Sequence, residues 1–461
     1  MTYKVFVWYL NQLDKWMWSY VLFFLLIGVG IFFTIRLKGM QFRYLGYSLK
    51  LAFTRSDQDA EGDISQFQAL MTALAATIGI GSIAGVATAI VAGGFGAVFW
   101  MWVIALVGMA TKFVEAILAV KYREVDENGR MCGGPMYYLA NGLQLKWLGV
   151  IFSICCLLAT LGGGNFIQAN SIAIACTELI SCSVIWPGII MAILTAFVLF
   201  GGIKNIAKIS SLLVPIMALL YIVSGLFILC VRYDRIWEGF LTIIQTAFTG
   251  QAAVGGFLGA SVMMAIQLGT ARGISSNEAG MGSAPIAAAA AKTDVPGRQA
   301  LISMSGVFFS SFVVCTITAL VISVTDVLGK VGANGEVLNG VALVIQAFRT
   351  VIPGGEFIVI LGVILFGYTT IIGWSYYGER SMEFLFKGKG SLQKSYRILF
   401  CFCVFLGSIM SIEIVWPLAD IMNGLMTFPN LIGLIGLSSV ACKEAQQFFQ
   451  MLSREKKAAP N

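Results

Sequence analysis

The sequence predicts an all-α integral membrane protein with about eleven transmembrane helices, and three observations support this prediction. Of its 461 residues, 58% are hydrophobic and only 11% are charged, whereas soluble domains average about 25% charged residues. The apolar residues form runs of roughly 20, the length that crosses a bilayer. Basic residues gather in alternate loops between those runs. We therefore expect one polytopic membrane domain over residues 1–461, with the lipid bilayer as a partner.

The apolar runs give the expected spans in order along the chain. The seventh run is too long for one straight helix, so we expect it to be broken or to include an interfacial piece. Two amphipathic segments, 235–250 and 337–351, are expected to lie on the membrane surface. The predicted spans are 16–35, 67–92, 97–120, 147–169, 187–203, 210–231, 253–291, 299–325, 356–377, 396–413 and 415–441.

The distribution of lysine and arginine predicts the orientation. Most of these 30 residues fall in the loops on one side of the predicted spans, and loops rich in basic residues stay in the cytoplasm. The C-terminus is therefore expected in the cytoplasm and the N-terminus outside, in the cell membrane. The net charge of +7 reflects these loops and does not indicate a nucleic-acid partner.

The second predicted span contains the weakest helical segment, residues 76–85 with the sequence ATIGIGSIAG. Glycine loses the most conformational entropy on entering a helix, so Gly79 and Gly81 favour a local break. Backbone groups freed at membrane depth survive only where they line a cavity, and the N-terminus of a following helix suits a carboxylate. The segment is the expected centre of a substrate site, although close helix packing explains single glycines equally well.

The seventh predicted span has a similar interruption over residues 269–282. Arg272 and Glu278 lie inside this otherwise apolar run, where a charge is costly unless it is paired or faces water. The two interruptions lie five spans apart, so the second half of the chain would be inverted relative to the first. Paired broken helices in two inverted halves are typical of secondary transporters.

Other polar residues fall within the spans. Gln168 and Asn170 carry amides that could serve an amino acid or bond neighbouring helices. Thr369 and Thr370 offer hydroxyl oxygens to a hard cation, near Trp374, although helix packing is the commoner role of such threonines. Lys112 and Glu115 are three residues apart on one helix face, so a structural ion pair or snorkelling is expected.

Several stretches of the chain resemble the alanine/glycine:cation symporter family, whose members are also called sodium:alanine symporters. The resemblance covers nearly the whole chain after residue 60 and includes long, distinctive motifs. The matching stretches are GDISQFQALMTALAATIGIGSIAGVATAI, GGFGAVFWMWVIALVGMATKFVEAILAVKYRE, GGPMYYL, NFIQANSIA, GISSNEAGMGSAPIAAAAAKT and TTIIGWSYYGER.

This resemblance implies a leucine-transporter-like fold, with one N-terminal extra helix plus two inverted five-helix repeats. The extra helix and a cytoplasmic loop would occupy residues 1–60, the repeats 64–231 and 235–441, and a cytoplasmic tail 442–461. The resemblance also assigns roles. The residues that would bind substrate are Thr77, Gly79, Gly81, Gln168, Gly273, Ile274, Ser275, Ser276 and Trp374, and those that would bind sodium are Ala75, Ile78, Thr369 and Thr370.

The chain departs from the family pattern at three positions. Ser82 stands where the family usually has asparagine, so a second cation site at this position, and with it the number of coupled ions, is open. Ala288 replaces a histidine, and Phe95 replaces a proline.

The expected function is sodium-coupled uptake of a small neutral amino acid, alanine or glycine, with sodium as the coupling ion and no organic cofactor. Proton coupling or a glutamine-type substrate is the main alternative, although the absence of histidine removes the usual relay near neutral pH. An ion channel is a further alternative, but the chain has no filter sequence. A membrane enzyme is disfavoured, because no metal-ligand set, nucleophile constellation or phosphate-binding loop occurs.

Overall fold

The structure is a computed structural model that describes residues 2–54, 60–180, 182–251, 259–332, 335–387 and 390–458. These residues are overwhelmingly helical, which confirms the predicted all-α class. Within the described residues, the only sheet is a small antiparallel hairpin of β1 Glu124–Val125 and β2 Met131–Cys132. We call the side of the molecule that carries it the hairpin side.

The first half of the chain already contains both very long and interrupted helices. A π-helical turn, Met17–Leu22, joins α1 to α2, and a second, Gly162–Phe166, joins α8 to α9. The helices are α1 Thr2–Trp16, α2 Phe23–Arg36, α3 Met40–Phe53, α4 Gln66–Thr77, α5 Ala84–Gly93, α6 Gly96–Lys121, α7 Pro135–Tyr137, α8 Lys146–Leu161, α9 Ile167–Ile180, α10 Ile185–Leu199 and α11 Gly202–Val231.

The second half repeats this mixture. Two more short π-helical segments occur along the chain. One follows α7 in the first half (Tyr138–Gly142), and the other follows α15 in the second half (Phe308–Cys315). The predicted surface segments are helical, as α12 and α17, but their position on a membrane surface stays a prediction. The helices are α12 Tyr233–Thr249, α13 Val262–Asn277, α14 Ala284–Ala289, α15 Pro296–Val307, α16 Thr316–Val324, α17 Gly340–Val351, α18 Gly355–Phe386, α19 Gly390–Ile409, α20 Ile412–Gly436 and α21 Ser438–Ala458.

Eight helical segments of the described chain are long and apolar enough to cross a membrane: Tyr3–Arg36, Gly96–Lys121, Lys146–Thr177, Gly202–Val231, Pro296–Val324, Gly355–Phe386, Ser391–Ile409 and Ile412–Gly436. Helix α10 is shorter, and both α4–α5 and α13–α14 are interrupted, so these three fall outside the set. The chain is therefore a multi-pass membrane protein, while the total of eleven spans and the two-repeat arrangement stay predictions.

Helix α3 lies where the sequence predicts only a loop after the first span. It is amphipathic, with Met40, Leu51 and Ala52 buried, and it packs against α15. Tertiary packing of one apolar face thus gives a helix that is too polar to count as a span. The first predicted span, which the sequence predicts to begin at residue 16, also extends further toward the N-terminus. Helix α1, the π-helical turn Met17–Leu22 and α2 follow one another without a break.

Burial separates the helices that build the centre from those at the periphery. Helix α6 is almost wholly buried, and α13 and α15 pack against it. Helix α18 is also largely buried and contacts α4, α8, α9 and α11. Helix α11 and the α1–α2 segment instead expose most of their apolar side chains, as expected of helices whose outer face meets lipid. The interrupted helix α4–α5 thus lies beside the two central helices.

Candidate functional site

The break predicted in the second span is present between α4 and α5. A capping box starts α4, since Ser65 and Gln68 bond each other's backbone N–H. The helix ends at Thr77, and Gly79 is fully extended before a single 3-10 turn, Ile80–Ser82, leads into α5. The chain is therefore non-helical at the level where α13, α18 and α20 surround it.

A small enclosed cavity lies at this break. It has a volume of about 20 Å³, counted as space open to the centre of a water-sized sphere, which suffices for about one water molecule. Residues from both interrupted helices and from α9, α18 and α20 form its wall. They are Ala76, Thr77, Gly79, Gly81, Gly163, Ile167, Gln168, Ser275, Glu278, Met281, Thr370, Trp374, Trp416 and Asn423.

Gln168 satisfies backbone groups on both sides of the cavity. Its Oε1 accepts from the amide of Ile80 at 3.3 Å, and its Nε2 donates to the carbonyl of Gly163 at 3.0 Å. The side chain thereby ties the unwound part of the first broken helix to the π-helical turn before α9. Asn170, the other predicted amide, donates instead to the carbonyls of Gly407 and Met410.

Gly79 allows the closest approach in the site. A Cβ added to this residue would lie 2.6 Å from Thr370 Oγ1 and 3.3 Å from Gln168 Oε1, so no side chain fits without displacing a neighbour. Gly81 is less restricted, because its added Cβ would meet Ser275 at an ordinary 3.5 Å. The first glycine of the motif is thus needed for packing as well as for the break.

Oxygen atoms from α4 and α18 converge beside the break. Thr370 Oγ1 lies 2.9 Å from the carbonyl of Ala75 and 2.9 Å from that of Phe366. Thr369 Oγ1 shares the Phe366 carbonyl at 3.1 Å but also faces the sulfur of Met217 at 3.4 Å. Hard cations prefer oxygen ligands of this kind. The sequence analysis missed Phe366, whose position four residues before Thr370 on the same helix face was the available signal.

Two further predicted residues hold the first broken helix in place. Trp374 Nε1 donates to the carbonyl of Ala76 at 3.3 Å, and the side chain lines the cavity. Thr77 also lines the cavity, while its hydroxyl donates to the carbonyl of Ala73 at 2.7 Å. The remaining predicted ligand on this segment, Ile78, is buried immediately before the extended glycine.

The second break is shorter than the sequence predicts. Residues 269–277 stay helical in α13, and the irregular segment is confined to residues 278–283. Two hydrogen bonds end the helix, one from Glu278 N to Ile274 O at 2.7 Å and one from Ala279 N to Asn277 Oδ1 at 2.9 Å. The helix continues through Gly269 because other helices pack against this face: added side-chain atoms there would meet Ala97 and Trp100 of α6.

The predicted residues of α13 therefore point in different directions. Ser275 lines the cavity, whereas an added Cβ at Gly273 would meet Ile104 of α6. Ser276 Oγ is 2.8 Å from Ser82 Oγ and links the two broken helices. Ile274 is buried in the apolar core. Of the predicted α13 residues, only Ser275 belongs to the cavity wall, while Ser82 and Ser276 lie beside it.

The structure adds cavity residues that the sequence analysis did not assign to the site: Ile167, Glu278, Met281, Trp416 and Asn423. Asn423 Oδ1 is buried with no hydrogen-bond partner, so this amide is free to accept from a ligand. The charge of Glu278 in an apolar run was the one available signal. Trp416 and Asn423 lie on α20, whose sequence carries no break or motif that singles it out.

An ion pair lies next to the cavity wall. Arg272 of α13 bonds Asp420 of α20, and its guanidinium lies 5.1 Å from the ring centre of Trp416. Trp18 adds a bond from its indole N–H to the carbonyl of Asp420 at 3.0 Å. Because Trp416 is also part of the cavity wall, this contact between α13 and α20 lies directly behind that wall.

A denser ionic network lies on the hairpin side. Arg380 of α18 lies 2.7 Å from Glu383 and donates to the sulfur of Cys132 at 2.9 Å. Although Asp126, Cys132 and Glu383 lie within 4.8 Å of one another, Arg380 contacts all three, so the cluster is an ion-pair network. Burial raises the pKa of Cys132 to about 12, which keeps this thiol protonated at neutral pH.

Known proteins share much of this sequence and its fold. The sequence model of the sodium:alanine symporter family matches residues 3–460, which confirms the resemblance found in the sequence. The sodium/alanine symporter AgcS of Methanococcus maripaludis is 48% identical over 459 residues, covering 98% of this chain and 100% of AgcS. The probable sodium/glutamine symporter GlnT of Bacillus subtilis is 38% identical over 447 residues, covering 96% and 90%.

A solved structure shares the fold at much lower identity. The crystal structure of MhsT in complex with L-phenylalanine has a TM-score of 0.59 at 16% sequence identity, over 84% of this chain and 93% of MhsT. At this identity the comparison shows a shared fold and says nothing about the substrate of this chain.

Proposed function

The chain belongs to the sodium:alanine symporter family, and from this premise we propose that it takes up a small neutral amino acid, alanine or glycine, together with sodium. Membership makes the protein a multi-pass membrane transporter. The observation that carries the finer proposal is the cavity at the first break, where backbone amides and carbonyls meet neutral polar side chains and one carboxyl group in a space of about 20 Å³.

The size and lining of the cavity favour a small zwitterion. The unwound segment at Thr77, Gly79 and Gly81 offers backbone polar groups to a carboxylate, beside the amide of Gln168 and the N-terminus of α5. A cavity this small needs only a modest separation of its walls to admit alanine, whereas a long side chain would displace Trp374 or Met281. The proposed pocket also includes Ser275, with Gly273, Ile274 and Ser276 behind it.

The sodium site is proposed at the junction of α4 and α18. The carbonyls of Ala75 and Phe366 already contact the hydroxyl of Thr370, so a sodium ion could replace these hydrogen bonds with oxygen coordination. Thr369 shares the Phe366 carbonyl, and Ile78 would add a carbonyl from the break. Occupation of such a site would fix the unwound segment against α18 and thereby order the substrate pocket. A second cation near Ser82 is a separate part of this proposal.

We propose that the hairpin side faces the cytoplasm of the cell membrane, with the N-terminus outside, as the basic loops indicate. Two inverted repeats, 64–231 and 235–441, would rock against each other to open the cavity on alternate sides, after the extra helix of residues 1–60. The Arg272–Asp420 contact would open outward and the Arg380–Glu383 network inward. A membrane potential of 100 mV supplies about 2.3 kcal/mol per sodium charge, which is enough to concentrate a zwitterion.

The test is uptake of labelled alanine into proteoliposomes with an inward gradient of sodium, potassium or protons. We expect saturable uptake only with the sodium gradient, and competition by glycine but not by larger amino acids. Uptake that ignores sodium would refute the coupling. Uptake driven by protons alone would favour the proton-coupled alternative, and flux that does not saturate would indicate a channel.

A glutamine-type substrate is the second candidate, because GlnT, described as a probable sodium/glutamine symporter, is 38% identical to this chain. Competition separates the two. If glutamine displaced labelled alanine as well as glycine does, the cavity would have to open much further than its present volume suggests.

A further inference from the structure

Three buried ionisable side chains lie next to the cavity, one lysine and two glutamates. Lys112 of α6 donates from Nζ to the carbonyl of Asn277 at 3.0 Å and interacts electrostatically with both Glu115 and Glu278. All three are buried. Among the described residues, Lys112 has no carboxylate oxygen within 4.0 Å, and its buried Nζ binds a carbonyl instead. Neither the Lys112–Glu115 ion pair nor the snorkelling expected from the sequence is therefore present.

The two carboxyl groups, those of Glu115 and Glu278, have different hydrogen-bond partners and different positions relative to the cavity. Glu115 accepts from the amide of Gly282 at 3.0 Å and from Asn430 Nδ2 at 2.7 Å, and it is not part of the cavity wall. Glu278 accepts from Ser283 Oγ at 2.6 Å and lines the cavity beside Trp374. Of the two carboxyl groups, the one that can reach a ligand is therefore Glu278.

The backbone of Glu278 also indicates that its side chain is needed. Its φ is +55°, in the left-handed region, which costs a side-chain-bearing residue about 1–2 kcal/mol relative to glycine. Residues held in such conformations cluster at functional sites. A glycine would end α13 more cheaply at this position, so the carboxyl group is retained against a local conformational cost.

We propose that the carboxylate of Glu278 binds the ammonium group of the transported amino acid and thereby selects zwitterions over simple carboxylates. The proposal rests on the function proposed above. A carboxylate buried at membrane depth needs a cation, and Lys112 is shared with Glu115. An ammonium group supplies both the charge and hydrogen bonds of the charge-assisted kind.

The same cavity offers a complementary group to each end of a zwitterion. The unwound segment around Gly79 and Gly81 presents neutral backbone groups, and Glu278 presents the negative charge in the cavity wall. The other polar side chains that line the cavity, those of Thr77, Gln168, Ser275, Thr370 and Asn423, are neutral. Glu278 is thus the group that can distinguish an amino acid from a carboxylic acid of the same shape.

The experiment compares alanine with propionate, which lacks only the amino group. Purified wild-type protein and the variants Glu278→Gln and Glu278→Gly are titrated with each compound in sodium, with thermal stabilisation as the readout. We expect alanine affinity to fall about tenfold or more in both variants, as for the loss of a charge-assisted hydrogen bond, while propionate affinity is unchanged or rises. Glu278→Gly should fold without difficulty because glycine adopts this φ freely.

Glu115→Gln is the matched control, because it removes the neighbouring buried carboxylate that does not line the cavity. It should keep the wild-type ratio of alanine to propionate affinity, whatever it does to stability. If either Glu278 variant kept that ratio, the proposal would be wrong. It would also be wrong if the variants lowered only the sodium affinity measured without amino acid, because the carboxylate would then serve the ion.

Two further measurements cover the cases in which the neutral variants do not insert or the wild-type protein does not bind alanine or glycine. If the neutral variants do not insert, Glu278→Asp retains the charge but withdraws it by one methylene, and an unchanged alanine affinity in this variant would overturn the proposal. If wild-type protein does not bind alanine or glycine, the proposed function fails. The ammonium test is then made with whichever amino acid binds and its deaminated analogue, so the two failures are distinguishable.

Discussion

The two interrupted helices satisfy the same physical requirement in different ways. At the first break, between α4 and α5, the freed backbone meets neutral groups from other helices: the amide of Gln168, the hydroxyl of Thr370 and the indole of Trp374. At the second, between α13 and α14, the irregular segment carries Glu278 and is held by charged and amide side chains of α6 and α20.

The two breaks therefore contribute different chemical groups to one cavity. The first break presents backbone groups, which substitution does not remove. Its ability to bind a ligand therefore changes mainly when the side chains that pack against it are substituted. The second break depends on side chains that pair across the chain, such as Glu115 with Asn430. We therefore expect substitutions near the first break to change binding. Substitutions of the side chains that hold the second break, such as Lys112, should change stability, while Glu278 in the cavity wall should affect binding.

The largest effect is expected from Lys112→Met, which removes the cation shared by the two carboxyl groups at the second break. Loss of one partner from a buried charge cluster costs about 3–5 kcal/mol, so the melting temperature in detergent should fall sharply. Lys121→Met is the control on the same helix, since Lys121 pairs with Glu444 at the surface and such pairs contribute about 1 kcal/mol or less. Equal effects of the two substitutions would contradict the proposed asymmetry.

A smaller but still large effect is expected from Gly79→Ala at the first break. The new Cβ would lie 2.6 Å from Thr370 Oγ1, and overpacking of this kind costs about 1–3 kcal/mol. Initial rates of alanine uptake should fall at least about tenfold. Gly85→Ala is the control, because its nearest neighbour, Arg272 Cδ, is 3.7 Å away. Loss of transport in both variants would mean that helix flexibility, rather than space, is what Gly79 provides.

Thr370→Val should weaken sodium binding more than Thr369→Val does. Both lose a hydroxyl, but only Thr370 contacts the carbonyl of Ala75 on the first broken helix. We expect the sodium concentration for half-maximal uptake to rise about tenfold for Thr370→Val, equivalent to about 1.4 kcal/mol, with a smaller rise for Thr369→Val. A larger rise for Thr369→Val than for Thr370→Val would indicate that the ion binds closer to Thr369 and Met217 than proposed.

The smallest effect is expected from Gln168→Ala, which leaves the amide of Ile80 without its acceptor. A single hydrogen bond contributes about 0.5–1.5 kcal/mol, so the KM for alanine should rise several-fold. Asn170→Ala is the control on the same helix, because this amide bonds the carbonyls of Gly407 in α19 and of Met410 just after it, rather than the break. A KM that rises only in Asn170→Ala would remove Gln168 from the pocket.

Sequence reasoning found the first break more completely than the second, for a physical reason. The Gly79 and Gly81 pair weakens a helix locally, whatever surrounds it, and the α4–α5 interruption lies within the predicted segment. The second prediction began at Gly269 because a glycine and charges suggested a break there. Those residues remain helical, because Arg272 forms an ion pair with Asp420 and Ser276 forms a hydrogen bond with Ser82, both on helical segments distant in the sequence.

The sequence by itself determined the membrane-embedded helical class, the family and the centre of the first break, because each depends on composition or on local backbone preference. Only the tertiary structure decided which side of α13 meets the cavity, that Thr370 contacts the carbonyl of Ala75, and that Glu278 lines the pocket. These depend on contacts across more than a hundred residues of chain. The end of α13 combines both kinds of contact, because the local bond from Ala279 N to Asn277 Oδ1 is joined by one from Lys112 of α6 to the carbonyl of Asn277.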